Sequence, residues 1–438
     1  MVYFERTILK TVWEYMNSTD KSRVVVLYGM PCVGKSVLLH RIAALRGNGY
    51  ILADLATDRE LLGVLRKAIE SSERDAVKHA LMAFYGLSAA SVQSTMFLFD
   101  SAECLGGNIN LLLSWELPDR CLFATDRVDY ISDETIDSAK NVNVRLFPVK
   151  PLSFSEFLEA TGKGEYASVI RAGVHENKMI PRMLREELSE QYYEYLLVGG
   201  FPQAVTQFAI EHADIPALSS MHRMIFRSIL QTYLGIETEN DDCVSSTRIV
   251  QIINYLKDHA EQSPPVFRPG SIRRGLTRSD FRKEIDLLIR NGFLVPIRHT
   301  AFPEEQSASI EFSIADNGLQ RYLANDYDVF FGIEEEHLPF YILLNGLYVV
   351  SFGNGIEPES VSRKARCVIP MLWRQNKCML VVDTRNSAGS NEVFDYYAQK
   401  YECERLRISD DTSRNKDADH KIMWFELDEI LKPKKRCI

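Results

Sequence analysis

The sequence predicts an α/β protein that begins with a parallel β-sheet covered by helices. Short apolar runs alternate with stretches of helical periodicity over the first 150 residues. Between Arg23 and Leu45, a loop with glycines at both ends joins one such run to one such stretch. Alternating strands and helices require crossover connections, which make the strands parallel. The length of 438 residues suggests roughly three domains.

Five apolar runs are expected to be the strands of this sheet, because each is short and rich in β-branched or aromatic residues. They are VVVLY (24–28), YILADL (50–55), MFLFD (96–100), CLFAT (121–125) and NVRLF (143–147). A helix is expected before the first strand, since apolar residues recur there at helical spacing. Its apolar face would carry Ile8, Leu9, Val12, Trp13 and Met16.

Composition excludes several classes of protein. With 46% apolar and 25% charged residues, the chain can bury a large core, and its net charge of -9 restricts nucleic-acid contact to a local basic patch. The eight cysteines include no CxxC pair, which disfavours a zinc site or a disulfide framework and favours a reducing cytosol. Glu5 and Arg6 lie where a signal peptide would be apolar, and the stretch PFYILLNGLYVVSFG is too short and interrupted to span a bilayer.

The second half of the chain changes character. Residues 151–234 are predicted to be mostly helical, interrupted by GGFP, and GIETENDDCVSS then resembles a linker. Residues 247–325 predict helices followed by strands, typical of a winged helix-turn-helix. Within this stretch, Thr277 and Asp280 are expected to cap the start of a helix, and Gly292 is expected to end it. The buried stripe of that helix is expected to consist of Phe281, Ile285 and Leu288. The last hundred residues mix strands (LYVVSFG, CVIPMLW, CMLVVDT) with a helix near 391–402.

The loop after the first predicted strand fits the pattern G-x-x-x-x-G-K-[ST]. Glycines let backbone N–H groups turn onto phosphate oxygens, and the following helix presents its positive end to the anion. Lys35 is expected to reach the β- and γ-phosphates of ATP, and the Ser36 hydroxyl to bind Mg²⁺. The alternative is a simple glycine turn. The expected nucleotide contacts are Gly29, Met30, Pro31, Cys32, Val33, Gly34, Lys35, Ser36 and Val37.

Such a site also needs a carboxylate at a strand end to help hold the metal ion. Asp100, at the end of MFLFD, is predicted to be this metal ligand together with Ser36, although it could be an ordinary strand-end aspartate. In many ATPases a glutamate follows directly and activates the attacking water, but here Ser101 follows. Glu103 is the nearest glutamate, so the predicted catalytic residues are Lys35, Asp100 and Glu103.

Three further residues near the loop have two interpretations each. Thr125 ends the CLFAT run and Asp126 follows it, and at this strand end they form either a polar sensor of the γ-phosphate or a solvated strand end. Cys32 lies inside the loop, where a positive field would favour its thiolate. The alternative interpretation is that Cys32 is a small loop residue with no chemical role.

Three landmarks beyond the loop occur in order: PLSFSEFL (151–158), LVGGFPQAV (197–205) and FSIADNGLQRYL (312–323). With them, nearly the whole chain resembles a family of prokaryotic AAA-type ATP-binding proteins that join a P-loop ATPase to a C-terminal domain of uncharacterised function. The resemblance implies a lid contact at Gly199–Pro202, which a structural turn explains equally well. It also implies nucleotide and magnesium contacts at Gly29, Lys35, Ser36 and Asp100.

The C-terminal part of that family resembles restriction-endonuclease-like (PD-(D/E)xK-like) nucleases, which carry a Glu-Val-Asp strand and then a Glu-x-Lys strand. Here Ile369 stands in place of the metal-binding aspartate, while Asp383 could replace the glutamate and Arg385 the lysine. Arginine does not lose a proton near neutral pH, and a single carboxylate is a poor Mg²⁺ site. The expectation is a degenerate nuclease fold without nuclease activity.

A basic segment lies within this otherwise acidic chain. Between Arg268 and Arg298 there are eight Lys or Arg and three acidic residues. Duplex DNA is one expected partner, with phosphates or base edges met by Arg273, Arg274, Arg278, Arg282, Lys283 and Arg290. The alternative is a solvated helix face or a protein contact, since Arg282, Asp286 and Arg290 have i, i+4 spacing.

These patterns predict four regions: a P-loop ATPase core of AAA type (1–150), a helical lid (151–238), a winged helix-turn-helix (239–328) and a nuclease-like α/β domain (329–438). The expected function is a cytoplasmic, slow ATPase that uses ATP and Mg²⁺ as a switch for DNA or an unidentified protein partner, with no membrane contact and self-assembly left open. Three alternatives remain: a DNA-binding regulator or decayed defence protein with ATP only as ligand, an ATP-gated nuclease, and a P-loop kinase or other small-molecule transferase.

Overall fold

The computed structural model divides the chain into two compact units. The first comprises Met1–Pro151, Ile225–Val244 and Asp286–Gly292, and the second comprises Leu152–Met224, Ser245–Ile285 and Phe293–Ile438. The division into four functional regions stays a prediction. The residues described are 4–18, 23–71, 73–114, 117–131, 143–176, 180–234, 244–259, 267–299, 309–324, 348–351, 368–374, 377–383, 399, 404–408, 420–422 and 426.

The first unit contains a parallel sheet of five strands, in the order β2-β3-β4-β1-β5. All five predicted strands are confirmed. They are β1 (Arg23–Tyr28), β2 (Tyr50–Asp54), β3 (Met96–Asp100), β4 (Arg120–Thr125) and β5 (Asn143–Pro148). Because β1, β4 and β3 are neighbouring parallel strands, the loops that follow them lie at the same edge of the sheet.

Side chains alternate between the two faces of this sheet, and both faces are covered. Phe97, Phe99 and Phe123 lie on one face in a core cluster, where the ring of Phe99 stacks on Phe123 at 5.1 Å between centroids. Helix α2 (Lys35–Arg46) packs against β2, β3 and β4. Helix α1 (Thr7–Asn17) contacts α2. The helices that contribute to the core cluster with the three phenylalanines are α3 (Arg59–Glu70), α4 (Ala76–Tyr85), α5 (Ala89–Ser94) and α6 (Asn108–Ser114).

The predicted helical stretch after residue 151 is confirmed. It contains α7 (Phe154–Ala160), α8 (Gly164–Glu176), α9 (Arg182–Val198), α10 (Pro202–Ala209) and α11 (Ile215–Leu234). Helix α9 stops at Gly199, whose φ of 74° is left-handed, and Pro202 opens α10. Most of the predicted linker after α11 lies outside the described residues.

The stretch from residue 246 to 324 runs helix, helix, helix, two antiparallel strands and helix. The predicted cap pair is confirmed, because Thr277 and Asp280 form a capping box. The predicted stripe is also buried, and Gly292 has a φ of 78° after the helix. The elements are α12 (Ser246–Asp258), α13 (Pro269–Ile272), α14 (Arg282–Arg290), β6 (Leu294–His299), β7 (Ser309–Ile314) and α15 (Asn317–Ala324).

A second sheet has the described strands in the order β12-β11-β10-β9-β8-β6-β7. It adds β8 (Tyr348–Ser351), β9 (Val368–Arg374), β10 (Lys377–Asp383), β11 (Glu404–Ile408) and β12 (His420–Ile422). Strands β8, β9 and β10 match the three predicted C-terminal strands, whereas β11 and β12 were not predicted. The helix predicted near 391–402 falls almost wholly outside the described residues. Within the described part of the chain, no helix has the length and apolarity needed to cross a membrane.

Candidate functional site

The loop between β1 and α2 requires glycine at its start. Gly29 has a φ of 153°, and a Cβ there would lie 2.2 Å from the carbonyl oxygen of Val149. Gly34 has a φ of 93° and forms the N-cap of α2. Cys32 also holds a left-handed φ, of 66°, although it carries a side chain. The two glycines of the predicted motif are therefore needed by the backbone itself.

Lys35, the first residue of α2, is buried with only 6% of its surface exposed. Its ammonium donates to the carbonyl oxygens of Gly29, at 2.9 Å, and Met30, at 2.6 Å. It also pairs with the carboxylate of Asp126 at 2.5 Å. An ammonium has three N–H donors, so the two loop carbonyls and one carboxylate satisfy it. Ser36 is the next residue of the same helix, and it is exposed.

The predicted metal ligand Asp100 ends β3 and is half-buried. Its Oδ1 accepts a hydrogen bond from the backbone N–H of Ser101 at 2.9 Å. The donor set of the Ser36 hydroxyl and the Asp100 carboxylate consists of oxygens, which Mg²⁺ prefers. These two residues would hold the ion, and together with phosphate oxygens they fit it chemically.

Glu103 is brought back toward the sheet by a sharp turn. Ser101 has a left-handed φ of 55°, and a 3-10 helix spans Ala102–Leu105. The Oε2 of Glu103 then accepts the backbone N–H of Asp126 at 3.0 Å. Burial raises the pKa of Glu103, and the nearby Asp126 carboxylate raises it further. The predicted base therefore lies beside the end of β4, close to the loop lysine.

The residues at the end of β4 have different roles in the structure. Thr125 is buried, and its hydroxyl accepts the N–H of Arg127 at 3.0 Å. The Asp126 carboxylate reaches Lys35, as described above. Arg127 is itself buried and pairs with Asp129 through two hydrogen bonds, of 2.7 and 2.5 Å. Of the two residues proposed as a sensor, only Asp126 contacts the loop lysine.

The structure contradicts one interpretation of Cys32. Burial raises the pKa of its thiol, and the Asp126 carboxylate raises it too. A hydrogen bond with the Ser228 side chain and the charge of Lys35 act in the opposite direction but do not overcome these effects. The prediction of a stabilised thiolate is wrong mainly because burial disfavours the charged form of the thiol, and the Asp126 carboxylate adds to that effect.

Sequence patterns did not identify Asn291, a buried residue directly after α14. Its side chain contacts the backbone of Asp126 and Val128 and the hydroxyl of Tyr233. The only local signal was Gly292, which marks the helix end and carries no information on the residues across from it. Contacts between residues separated by more than 150 positions have no local sequence pattern.

The predicted GGFP and Asp-x-Gly-Leu landmarks meet within the second unit. Asp316 accepts the N–H of Gly200 at 2.7 Å and of Leu319 at 2.8 Å. A Cβ at Gly199 would lie 2.4 Å from Asp316, and one at Gly318 would lie 2.4 Å from the Val198 carbonyl oxygen. These contacts support the interpretation of GGFP as a structural turn.

The basic segment is largely exposed. Arg273, Arg274, Arg282 and Lys283 are exposed, whereas Arg278 is half-buried, and burial lowers its pKa. Arg290 donates to the carbonyl oxygen of Ile131 at 3.1 Å. The exposed guanidinium and ammonium groups lie around α13 and the start of α14, so that end of the segment presents the positive charge.

In the C-terminal sheet, β9 and β10 are antiparallel. Ile369 lies near the start of β9 and Asp383 at the end of β10, so both positions are at one end of this strand pair. Arg385 lies outside the described residues. Among the residues described, no group of three His, Cys, Asp or Glu forms a metal site.

Comparisons with known proteins give structural similarity alone. No family model matches the chain, and no curated protein matches it. AMPPCP-bound DnaA from Aquifex aeolicus is similar with 13% identity and a TM-score of 0.25, over 65% of this chain and 86% of that one. Orc1 from Aeropyrum pernix, in complex with DNA, has 15% identity and a TM-score of 0.29, over 74% and 93%. A point mutant of RuvB from Thermotoga maritima has 13% identity and a TM-score of 0.29, over 68% and 91%.

Proposed function

We propose that the chain binds Mg-ATP at the loop Gly29–Ser36 as an AAA-type P-loop protein and hydrolyses it slowly. The observation that carries this proposal is a glycine-dependent loop at the end of a parallel strand with a buried lysine at the start of the next helix. The strand order, with β4 between β1 and β3, supports it by placing the ends of β3 and β4 beside this loop. A simple connecting turn would not need a buried ammonium.

Different residues of the site would bind the phosphates, the metal ion and the attacking water. Backbone N–H groups of the loop and the start of α2 receive the phosphates, and Lys35 supplies a positive charge to the β- and γ-phosphates. Ser36 and Asp100 would hold Mg²⁺, which neutralises phosphate charge when bound. Glu103, whose pKa burial raises, is the base we propose for the attacking water. Nucleotide occupancy would then act as a switch for a partner of the chain.

Replacing Lys35 with alanine should weaken Mg-ATP affinity about 10- to 100-fold, because a charged hydrogen bond in a buried site contributes about 1.5–3 kcal/mol. Lys10→Ala is the matched control, since Lys10 is an exposed lysine of α1 that pairs only at 3.9 Å with Glu14. Calorimetric titration with Mg-ATP measures both variants. Equal affinity of Lys35→Ala and the native protein would contradict the nucleotide site.

A second candidate function is duplex DNA binding by the basic segment. Its support is the group of exposed basic side chains around α13 and α14 in a chain of net charge -9. Three helices followed by an antiparallel strand pair are also the element order of a winged helix. In this proposal DNA would be the partner that the ATP switch controls.

If phosphates are contacted there, the logarithm of the duplex affinity should fall linearly with the logarithm of salt concentration. Arg282→Gln with Lys283→Gln should flatten that slope by roughly 0.9 for each phosphate that these side chains neutralise. Arg182→Gln is the control, because Arg182 is an exposed arginine of α9 outside the segment. Fluorescence anisotropy over a salt series measures the slopes, and a slope near zero for the native protein would favour a protein contact instead.

A further inference from the structure

The Asn291 side chain uses both ends of its amide on the segment that follows β4. Its Oδ1 accepts the backbone N–H of Val128 at 3.1 Å, and its Nδ2 donates to the carbonyl oxygen of Asp126 at 3.0 Å. The Nδ2 also lies 3.3 Å from the hydroxyl of Tyr233. Only 1% of Asn291 is exposed, so water does not compete well for these contacts.

Two other side chains fix the same short turn. The Thr125 hydroxyl accepts the N–H of Arg127 at 3.0 Å, and Glu103 accepts the N–H of Asp126 at 3.0 Å. Side chains thus bind the N–H groups of three consecutive residues and the carbonyl of the first. Because four backbone groups of the turn are hydrogen-bonded to side chains, the Asp126 carboxylate has little freedom to move to another position.

The Asp126 carboxylate extends from this turn to the Lys35 ammonium at 2.5 Å. Two loop carbonyls occupy the other N–H donors of Lys35. A phosphate oxygen that binds Lys35 must therefore share or replace the contact made by Asp126. Because carboxylate and phosphate are both negative, their approach to one ammonium is competitive.

We infer that Asn291 is a positioning residue for the phosphate site: it holds Asp126 on Lys35 and thereby weakens the binding of ATP. This inference rests on the proposed function. Asn291 contacts the backbone of Asp126 and touches neither nucleotide nor Lys35 in this role. A purely structural asparagine would have the opposite effect, because loosening the end of β4 would disorder the site and weaken ATP binding.

The test is the affinity for Mg-ATP, measured by calorimetry, of Asn291→Ala, Asp126→Asn and the double variant. We expect Asp126→Asn to tighten binding about tenfold, since it removes one charged competitor for Lys35. Asn291→Ala should tighten binding by about three- to tenfold, and the double variant should bind no tighter than Asp126→Asn alone, as coupled sites do. Tyr233→Phe is the control with unchanged affinity, because it removes a hydroxyl next to Asn291 but leaves both hydrogen bonds between the Asn291 side chain and the turn.

Asn291→Leu provides a second test that nearly preserves side-chain size and adds no charge. It removes both the acceptor for the Val128 N–H and the donor to the Asp126 carbonyl oxygen, so we expect tighter ATP binding again. Weaker or unchanged binding in Asn291→Ala and Asn291→Leu, or an additive double variant, would overturn the inference. Unchanged binding in Asp126→Asn would overturn it even if the Asn291 variants do not fold. If instead Lys35→Ala leaves the native affinity intact, the proposed nucleotide site itself fails.

Discussion

Ser101→Glu is expected to raise ATP turnover at saturating Mg-ATP by about 10²-fold or more, because a positioned general base contributes about 10² to 10⁴ in rate. Serine does not take a proton from water at neutral pH, although it can hydrogen-bond one. Ser101 directly follows Asp100 and already holds a φ of 55° with a Cβ present. Glutamate therefore adds a carboxylate there with little further backbone strain.

Glu103→Gln tests the base that the native chain retains. Glutamine can still accept the N–H of Asp126, which Glu103 accepts at 3.0 Å, but it does not take a proton. The remaining turnover should fall by about 10²-fold while ATP affinity changes little. Glu103→Ala is the comparison that removes the hydrogen bond as well, so a loss of affinity confined to Glu103→Ala reports the structural role of that bond.

The pH dependence gives an independent measure of the same group. Because the pKa of Glu103 is raised, its ionised form, the base, is lost at a higher pH than for an ordinary glutamate. Turnover by the native protein should rise with pH through that raised pKa, and this limb should vanish in Glu103→Gln. Steady-state phosphate release measures every variant. Fast native turnover that neither Ser101→Glu nor Glu103→Gln alters would place the base elsewhere.

Asp316→Ala is expected to lower the free energy of unfolding by about 2–5 kcal/mol, because each buried donor left unpaired costs about 1–3 kcal/mol. The carboxylate lies between two landmark segments and accepts the N–H groups of Gly200 and Leu319. Asp214→Ala is the matched control, since Asp214 also accepts a helix N–H, from Ala217 at 3.0 Å, but is exposed. Its loss should cost about 1 kcal/mol. Urea unfolding measures both, and equal effects would contradict a buried junction.

Asp316 and the buried His222, which hydrogen-bonds the Val198 carbonyl at 2.9 Å, give this junction opposing pH dependences. Burial raises the pKa of Asp316 to about 6, so the folded state binds its proton more tightly and stability falls as pH rises from about 4 to 6. Burial lowers the pKa of His222 to about 4, so stability rises with pH between about 4 and 6.5. The two slopes oppose each other in the native protein.

Asp316→Asn should remove the contribution of Asp316 to the pH dependence of stability and leave the contribution of His222. The unfolding free energy of this variant should rise with pH across that window more steeply than that of the native protein, by at most about 1.4 kcal/mol per unit. Urea unfolding at several pH values between 4 and 7 measures the difference. Parallel curves for the two proteins would show that Asp316 has the same pKa folded and unfolded.

The sequence by itself determined the elements whose signals lie within a short stretch of the chain. The five strands of the first sheet were predictable because each apolar run is bounded and its neighbours are helical, which permits one kind of connection. The loop of Gly29 and Lys35 was predictable because positive φ and phosphate chemistry limit the residue types allowed. The cap of Thr277 and Asp280 and the stop at Gly292 are local for the same reason.

Only the tertiary structure decided what these elements touch. Asn291 lies more than 150 residues from Asp126, yet its amide fixes the turn that carries the carboxylate onto Lys35. The loop sequence left two interpretations of Cys32 open, because the pKa of its thiol depends on burial and on that same carboxylate, which only the folded structure reveals. Hydrogen-bond partners and desolvation depend on distances in space, and residues remote along the chain set those distances only after it folds.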